Sequence, residues 1–137
     1  MNEIGILNRN LAAAISKQGH GDLLMITDAG FAIPKDMDVI DLSLAVNSPK
    51  VIDVICELKK YFSAEKFIIS ASTEEISPSH FNSLKSILQN INAEVVTQKR
   101  FIEISKNVKV VVRTGDFTAF GNVILVSGAG DRWYCEK

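Results

Sequence analysis

The sequence predicts a single α/β domain: about six short strands in a largely parallel sheet, with helices packed on it. Two observations predict it. Short apolar runs of strand length alternate with stretches whose apolar residues recur at helical spacing, the pattern of strand–helix–strand units. In addition, 137 residues at 47% hydrophobic and 23% charged suffice for one core, with no linker, internal repeat or low-complexity segment to divide it. Residues 1–137 therefore read as one domain, with 131–137 as a loosely tied tail.

The elements follow in order. Leu7 to Gln18 read as a helix that Asn8 or Asn10 can cap and Gly19 can close. Residues 22–27 form a buried strand, and Gly30 and Pro34 pin the loop behind it. Met37 to Ser43 hold a second strand. Ser48-Pro49 signals a helix start, Ser48 as N-cap and Pro49 as first helical residue, followed by a stripe of Val51, Ile52, Ile55, Leu58 and Phe62. Lys66 to Ser70 are a short strand, and 71–77 read as a polar loop. Ser77-Pro78 repeats the helix-start device ahead of Phe81, Leu84, Ile87, Leu88 and Ile91, with His80 read as a solvated or packing residue in the first turn. Glu94 to Thr97 are a strand, 100–106 a short helix, and 108–113 and 122–127 the last two strands.

Net charge is −1 without a long run of either sign, so there is no electrostatic footprint for nucleic acid and no polybasic membrane patch. Aromatics, at 7%, are not interleaved with basic residues. Cys56 and Cys135 are no disulfide framework. The N-terminus has no basic region leading into an apolar stretch, and no apolar run approaches membrane-spanning length. A soluble cytoplasmic protein is the expectation.

Chemistry concentrates in two places. His20 and Asp28 bracket the first strand, with Asp28 at its C-terminal end, where ligands bind in open α/β sheets. Imidazole changes charge near neutral pH. His20 can equally be a helix-end residue and Asp28 a turn cap. The second place is Arg113-Thr114-Gly115-Asp116 followed by Phe120-Gly121-Asn122. It reads either as a hairpin-like turn with solvated charges or as a loop presenting an aromatic face and an amide to a polyol. Ser127-Gly128-Ala129-Gly130 lacks the following helix a dinucleotide fingerprint requires. Scattered histidines and cysteines show no metal-ligand spacing, and no elbow motif supports a serine nucleophile.

Taken in order, Gly5-Ile6-Leu7-Asn8, Gly19-His20 with Asp22, Asp28-Ala29-Gly30 with Ile33-Pro34, Ile40-Asp41-Leu42-Ser43-Leu44, Arg113-Thr114-Gly115-Asp116 and Gly121-Asn122-Val123-Ile124-Leu125 form one pattern. With it the chain resembles the D-ribose pyranase and L-fucose mutarotase family from residue 4 to about 129. The resemblance implies a cofactor-free, metal-free isomerase of free monosaccharides. The ribose branch interconverts pyranose and furanose rings and the fucose branch interconverts anomers. It also implies a homo-oligomer, often a decamer of two pentameric rings, with each site completed by a neighbouring subunit.

By the same resemblance His20 matches the catalytic histidine, Asp28 a sugar-binding carboxylate and Asn122 a sugar-binding asparagine. One group titrating near neutrality can move both protons of ring opening, a role that falls to His20. Asp28 would orient either His20 or sugar hydroxyls, and Asn122 would supply an amide donor and acceptor. The departures lie around them. Gln98 stands where ribose pyranases usually have a second histidine, Ile102 where they have lysine, and Phe120 where they have tyrosine. Ala71-Ser72 replace a glutamate pair, and Asp116 stands where glutamate is common. Gln98 can hydrogen-bond a hydroxyl but not act as acid or base, and Phe120 keeps a stacking face without the hydroxyl. Phe120-Gly121-Asn122 leans toward the fucose branch; Asp28-Ala29-Gly30 and Pro34 lean toward the ribose branch. A ribose ring-form isomerase is the main reading, with a fucose-type mutarotase and a non-catalytic sugar-binding subunit as alternatives.

Overall fold

A computed structural model describes residues 1–136. Its elements are α1 (Arg9–Ser16), β1 (Leu23–Thr27), β2 (Val39–Asp41), α2 (Val51–Leu58), β3 (Ala64–Ser70), α3 (Ala71–Ile76), α4 (Pro78–Ile87), β4 (Asn92–Val96), α5 (Gln98–Ser105), β5 (Val110–Arg113) and β6 (Val123–Ser127). The six strands form one sheet in the order β2-β5-β1-β6-β3-β4. β1 and β2 each pair in parallel with β5, and β3 pairs in parallel with β4. β6 runs antiparallel between β1 and β3. Five strands thus share one direction, and the expected largely parallel sheet holds with a single reversed strand at its centre.

Alternation along the strands divides the core. Leu24, Ile26, Phe67, Ile69, Val110, Val112, Val123 and Leu125 face α1, α2 and α4, meeting Leu11, Val51, Val54, Ile55, Leu58, Phe81 and Leu84. Met25, Ile68, Val111, Ile124 and Val126 face the other way, onto Phe101 of α5 and the 31–37 loop. Phe31 meets Phe101 edge-on at 6.1 Å between ring centroids. The expected strands and the helices carrying apolar stripes are all present.

Three local expectations are corrected. Residues 71–76, expected as polar loop, are α3, with Ser70 Oγ accepting from the Ser72 amide at its start. The helix after Ser48-Pro49 begins later, at Val51 with Lys50 as N-cap, because two acceptors fix its start: Asp53 Oδ2 takes the Lys50 amide (2.8 Å) and Asp116 Oδ2 takes the Val51 amide (2.9 Å). The segment between β5 and β6 is not a hairpin, since β1 lies between those strands, and its Thr114 and Asp116 are buried.

Residues 131–136 form no helix or strand and are exposed; Lys137, the last residue of the expected tail, lies outside the described residues. The Arg132 guanidinium donates to the Lys60 carbonyl, and the Trp133 amide donates to Gly130 O (3.0 Å). Among the described residues no helix is long and apolar enough to cross a membrane.

Candidate functional site

Because β6 opposes its neighbours, the C-terminal ends of the five parallel strands meet the N-terminal end of β6 at one edge of the sheet. Asp28 follows β1, Gln98 opens α5 after β4, and Phe120 and Asn122 precede β6, so four of the five expected site residues collect at this edge. His20 does not join them. It precedes β1 at the other end, and that strand alone spans about 16 Å at the usual rise.

At the first edge Asp28 and Asn122 interlock. The Asp28 amide donates to Asn122 Oδ1 (2.9 Å), and Asp28 Oδ2 accepts from the Gly121 amide (3.2 Å). Asp28 Oδ1 accepts from the Gly30 amide (3.0 Å), so the turn-capping role is also real. Both residues are buried and Phe120 is half exposed. Phe120 has φ +54°, a left-handed conformation costly for a bulky side chain.

A depression of about 440 Å³ beside the interlock is lined by Asp28, Gly30, Arg113, Asp116, Phe117 and Ala119. Arg113 is held there by Asp41 Oδ2 (3.0 Å), Ser43 Oγ (2.7 Å) and Ala29 O (3.0 Å). The Ser43 hydroxyl and amide, with the Arg113 guanidinium alongside, hold the Asp41 carboxyl below the usual carboxylate range. Burial opposes the charge of Asp116, but hydrogen bonds from Thr118 and from the Val51 amide outweigh it and keep that carboxyl low too.

His20 sits largely exposed in the turn between α1 and β1. That turn is fixed by Gly21, at φ +87°, whose amide donates to Ser127 O (2.7 Å). Asp22 ties it down by accepting from the Gly19 amide (2.7 Å) and Lys109 Nζ (2.8 Å), the lysine holding the Asp22 carboxyl below its usual value. Asp28 does not orient His20 within one chain. The carboxylate facing the imidazole is Glu65, with Oε2 3.5 Å from Nε2. A depression of about 530 Å³ opens here, lined by Gln18, His20, Tyr61, Ser127, Arg132 and Trp133. Two exposed aromatics are thus far apart: Phe120 at the first edge and Trp133 at the second.

Sequence reasoning missed the residues behind the first edge. Thr73 Oγ1 donates to Phe120 O (2.6 Å), Ser77 Oγ to Ala119 O (2.7 Å), and buried His80 bonds Gly121 O through Nε2 (3.0 Å). The run of Ser, Thr and Glu in 71–77 carries no apolar stripe, and these contacts span more than forty residues, so no local signal announced them. Among the described residues, no group of three His, Cys, Asp or Glu side chains is placed to hold a metal ion.

An α/β sheet with one reversed central strand, and a polar, interlocked loop at its carboxyl edge, places the chain among α/β domains, whose ligand crevices open at that edge. The chain belongs to the RbsD / FucU transport protein family, whose model matches residues 1–130. It is 40% identical over 129 residues to a D-ribose pyranase of Pseudothermotoga lettingae, covering 93% of this chain and 92% of that one. It superposes on the structure of Bacillus subtilis RbsD complexed with D-ribose with a TM-score of 0.90 at 32% identity, covering 94% and 98% of the two chains. The fucose mutarotase of Streptococcus pneumoniae, solved with L-fucose, shares the fold with a TM-score of 0.76 at 17% identity, over 95% of this chain and 99% of that one.

Proposed function

We propose that this chain is a D-ribose pyranase, interconverting the pyranose and furanose forms of D-ribose. The observation that carries the reading is the Asp28–Asn122 interlock at the carboxyl edge of a fold that superposes on a ribose-bound relative at 32% identity. Asn122 spends Oδ1 on the Asp28 amide, so its NH2 group is the end offered to a sugar hydroxyl. Each Asp28 oxygen has one amide donor and keeps a further lone-pair direction for a hydroxyl. Phe120 supplies a ring and Gln98 a neutral amide at the same edge.

His20 is the acid and base. It takes the proton of the anomeric hydroxyl and delivers it to the ring oxygen as the bond from C1 to that oxygen breaks, giving the open aldehyde. Closure through a different hydroxyl exchanges ring size, and the protons balance over the cycle. No metal or nucleotide enters these steps. Within one chain His20 and the sugar-holding residues sit at opposite ends of β1, so the site is completed by a second copy, whose His20 faces this chain's Asp28 and Asn122. A closed ring of copies satisfies that head-to-tail geometry, and a decamer of two pentamers is the assembly we infer. We place it in the cytoplasm; among the described residues no helix is long and apolar enough to cross a membrane.

NMR exchange spectroscopy on D-ribose, with L-fucose as the comparison sugar, tests the reading. Accelerated pyranose–furanose exchange of ribose is expected. Acceleration of fucose anomer exchange alone selects the mutarotase, and acceleration of neither selects a sugar-binding subunit.

A further inference from the structure

Three side chains from α3, from the junction at Ser77 and from α4 grip three consecutive carbonyls of the loop before β6. Ser77 takes Ala119 O, Thr73 takes Phe120 O, and His80 takes Gly121 O, at 2.7, 2.6 and 3.0 Å. A carbonyl only accepts, so His80 Nε2 carries the proton in this contact. Thr73 is fully buried and His80 is 8% exposed, so these bonds do not compete freely with water. The gripped residues include Phe120 at φ +54°, a conformation that persists in a bulky residue only where its surroundings hold it. Gly121 is shaped to the grip: a Cβ there would lie 3.0 Å from Thr118 O and 3.4 Å from His80 Nε2. Directly beyond it, Asn122 locks to Asp28.

We propose that Thr73, Ser77 and His80 form a clamp that fixes the Phe120–Asn122 turn in its sugar-receiving conformation, with His80 as a positioning residue for Asn122 and Asp28. The clamp rests on the reading of that turn as part of the sugar site. None of the three side chains touches sugar; they act through the backbone. With the clamp released, the strained Phe120 relaxes toward negative φ, the Gly121 amide leaves Asp28, and the interlock loosens. Binding then weakens while proton transfer by His20, which the second copy supplies, is left alone.

The test uses the full-length protein carrying His80→Leu, Thr73→Val or His80→Gln. The ribose concentration for half-maximal exchange is measured by NMR, and hydrogen exchange of the segment 117–124 by mass spectrometry. His80→Leu and Thr73→Val should each raise half-saturation about 3- to 10-fold, the worth of one hydrogen bond, with maximal turnover little changed. Hydrogen exchange should speed up in that segment. His80→Gln, whose amide NH2 can reach the same carbonyl, should restore both readouts. If His80→Leu does not fold, the near-isosteric Thr73→Val carries the test. Unchanged half-saturation in an active protein, or a fall in turnover alone, overturns the clamp. If the wild type does not interconvert ribose, the substrate reading falls separately. Faster exchange confined to 117–124 then still supports the clamp, and unaltered exchange overturns it.

Discussion

The backbone amide of Asp28 donates to the side-chain oxygen of Asn122 at 2.9 Å, joining two loops 94 residues apart at the carboxyl edge of the sheet. The bond commits Asn122 Oδ1 to the structure, and the proposed function assigns its NH2 group to the sugar. Asn122→Asp keeps the acceptor and loses the donor; Asn122→Ala loses both and strands a buried amide. Asn122→Ala should therefore cost about 1–3 kcal/mol of stability, whereas Asn122→Asp costs less and chiefly weakens sugar binding. Urea unfolding beside ribose titration separates the two; equal stability losses would show that the Asp28 bond is not what Asn122 contributes.

His20 lies on the exposed α1–β1 turn, at the other end of β1 from that interlock. His20→Ala should lower ribose exchange about 100- to 10,000-fold and change stability by less than about 0.5 kcal/mol. On the proposed reading the complete site spans two copies, so mixing refolded His20→Ala and Asn122→Ala chains should recover activity in about a quarter of sites by random assembly. Both variants inactive alone and inactive when mixed would place the site within one chain.

Asp116 is 1% exposed and caps α2 from 65 residues away. Its carboxyl is held below the usual 3.8 in the folded protein, so the unfolded chain binds the proton more readily. The stability it contributes is whole above that usual value and is lost as pH falls through the lower folded value. Asp116→Asn should cost about 1–2 kcal/mol near neutrality, the range for a charged cap. The gap between wild type and variant should shrink below about pH 4. Urea melts across that range check it; a gap independent of pH would mean the charge contributes nothing.

Two glycines should respond differently to alanine. At Gly115 a Cβ would lie 2.2 Å from Ala45 O and 2.9 Å from Ser48 O, both backbone, so Gly115→Ala must displace the β2–α2 loop. A cost of about 1–3 kcal/mol is expected, as for overpacking. At Gly128 the obstacle is the Glu65 carboxylate, at 2.5 Å, the end of a flexible side chain. Gly128→Ala should fold almost normally and instead push Glu65 off His20, altering the exchange rate more than the melting temperature. Thermal unfolding and exchange rates of both variants decide it.

What was legible in the sequence was local. The strands announced themselves as β-branched apolar runs, and α1, α2 and α4 as stripes or capping signals, because burial on one face imposes a period. α3 imposed none, being six residues with a single buried side chain, Thr73. The start of α2 was misjudged because its cap, Asp116, arrives from after β5. The insertion of β6 between β1 and β3 is a pairing choice no single strand encodes. That insertion decides the site, bringing Asn122 to Asp28. His20 and Asp28, eight positions apart in the chain, suggested proximity, but an extended strand converts that spacing into distance.

On the proposed reading, a sugar meets three departures from the family at the carboxyl edge of the sheet. Gln98 opens α5, half buried; Ile102 is one turn further on and 43% exposed; Phe120 is 36% exposed on its strained turn. Set against the histidine, lysine and tyrosine that the family resemblance places there, this edge offers a polyol fewer donors and more apolar surface. Each hydrogen bond lost is worth about 0.5–1.5 kcal/mol, more if charged. Two or three such losses weaken ribose binding about 10- to 1000-fold if nothing replaces them. Half-saturation by ribose should therefore fall at higher concentration than for the Bacillus subtilis relative, measured side by side. A 6-deoxyhexose, whose methyl can pack on Phe120 or Ile102, should lose less. Restoring donors by Gln98→His with Phe120→Tyr should lower half-saturation for ribose and leave the deoxyhexose unimproved, because only the polyol gains partners. A wild type that already saturates as tightly as the relative, with no gain from the double change, would show that these positions do not set the substrate.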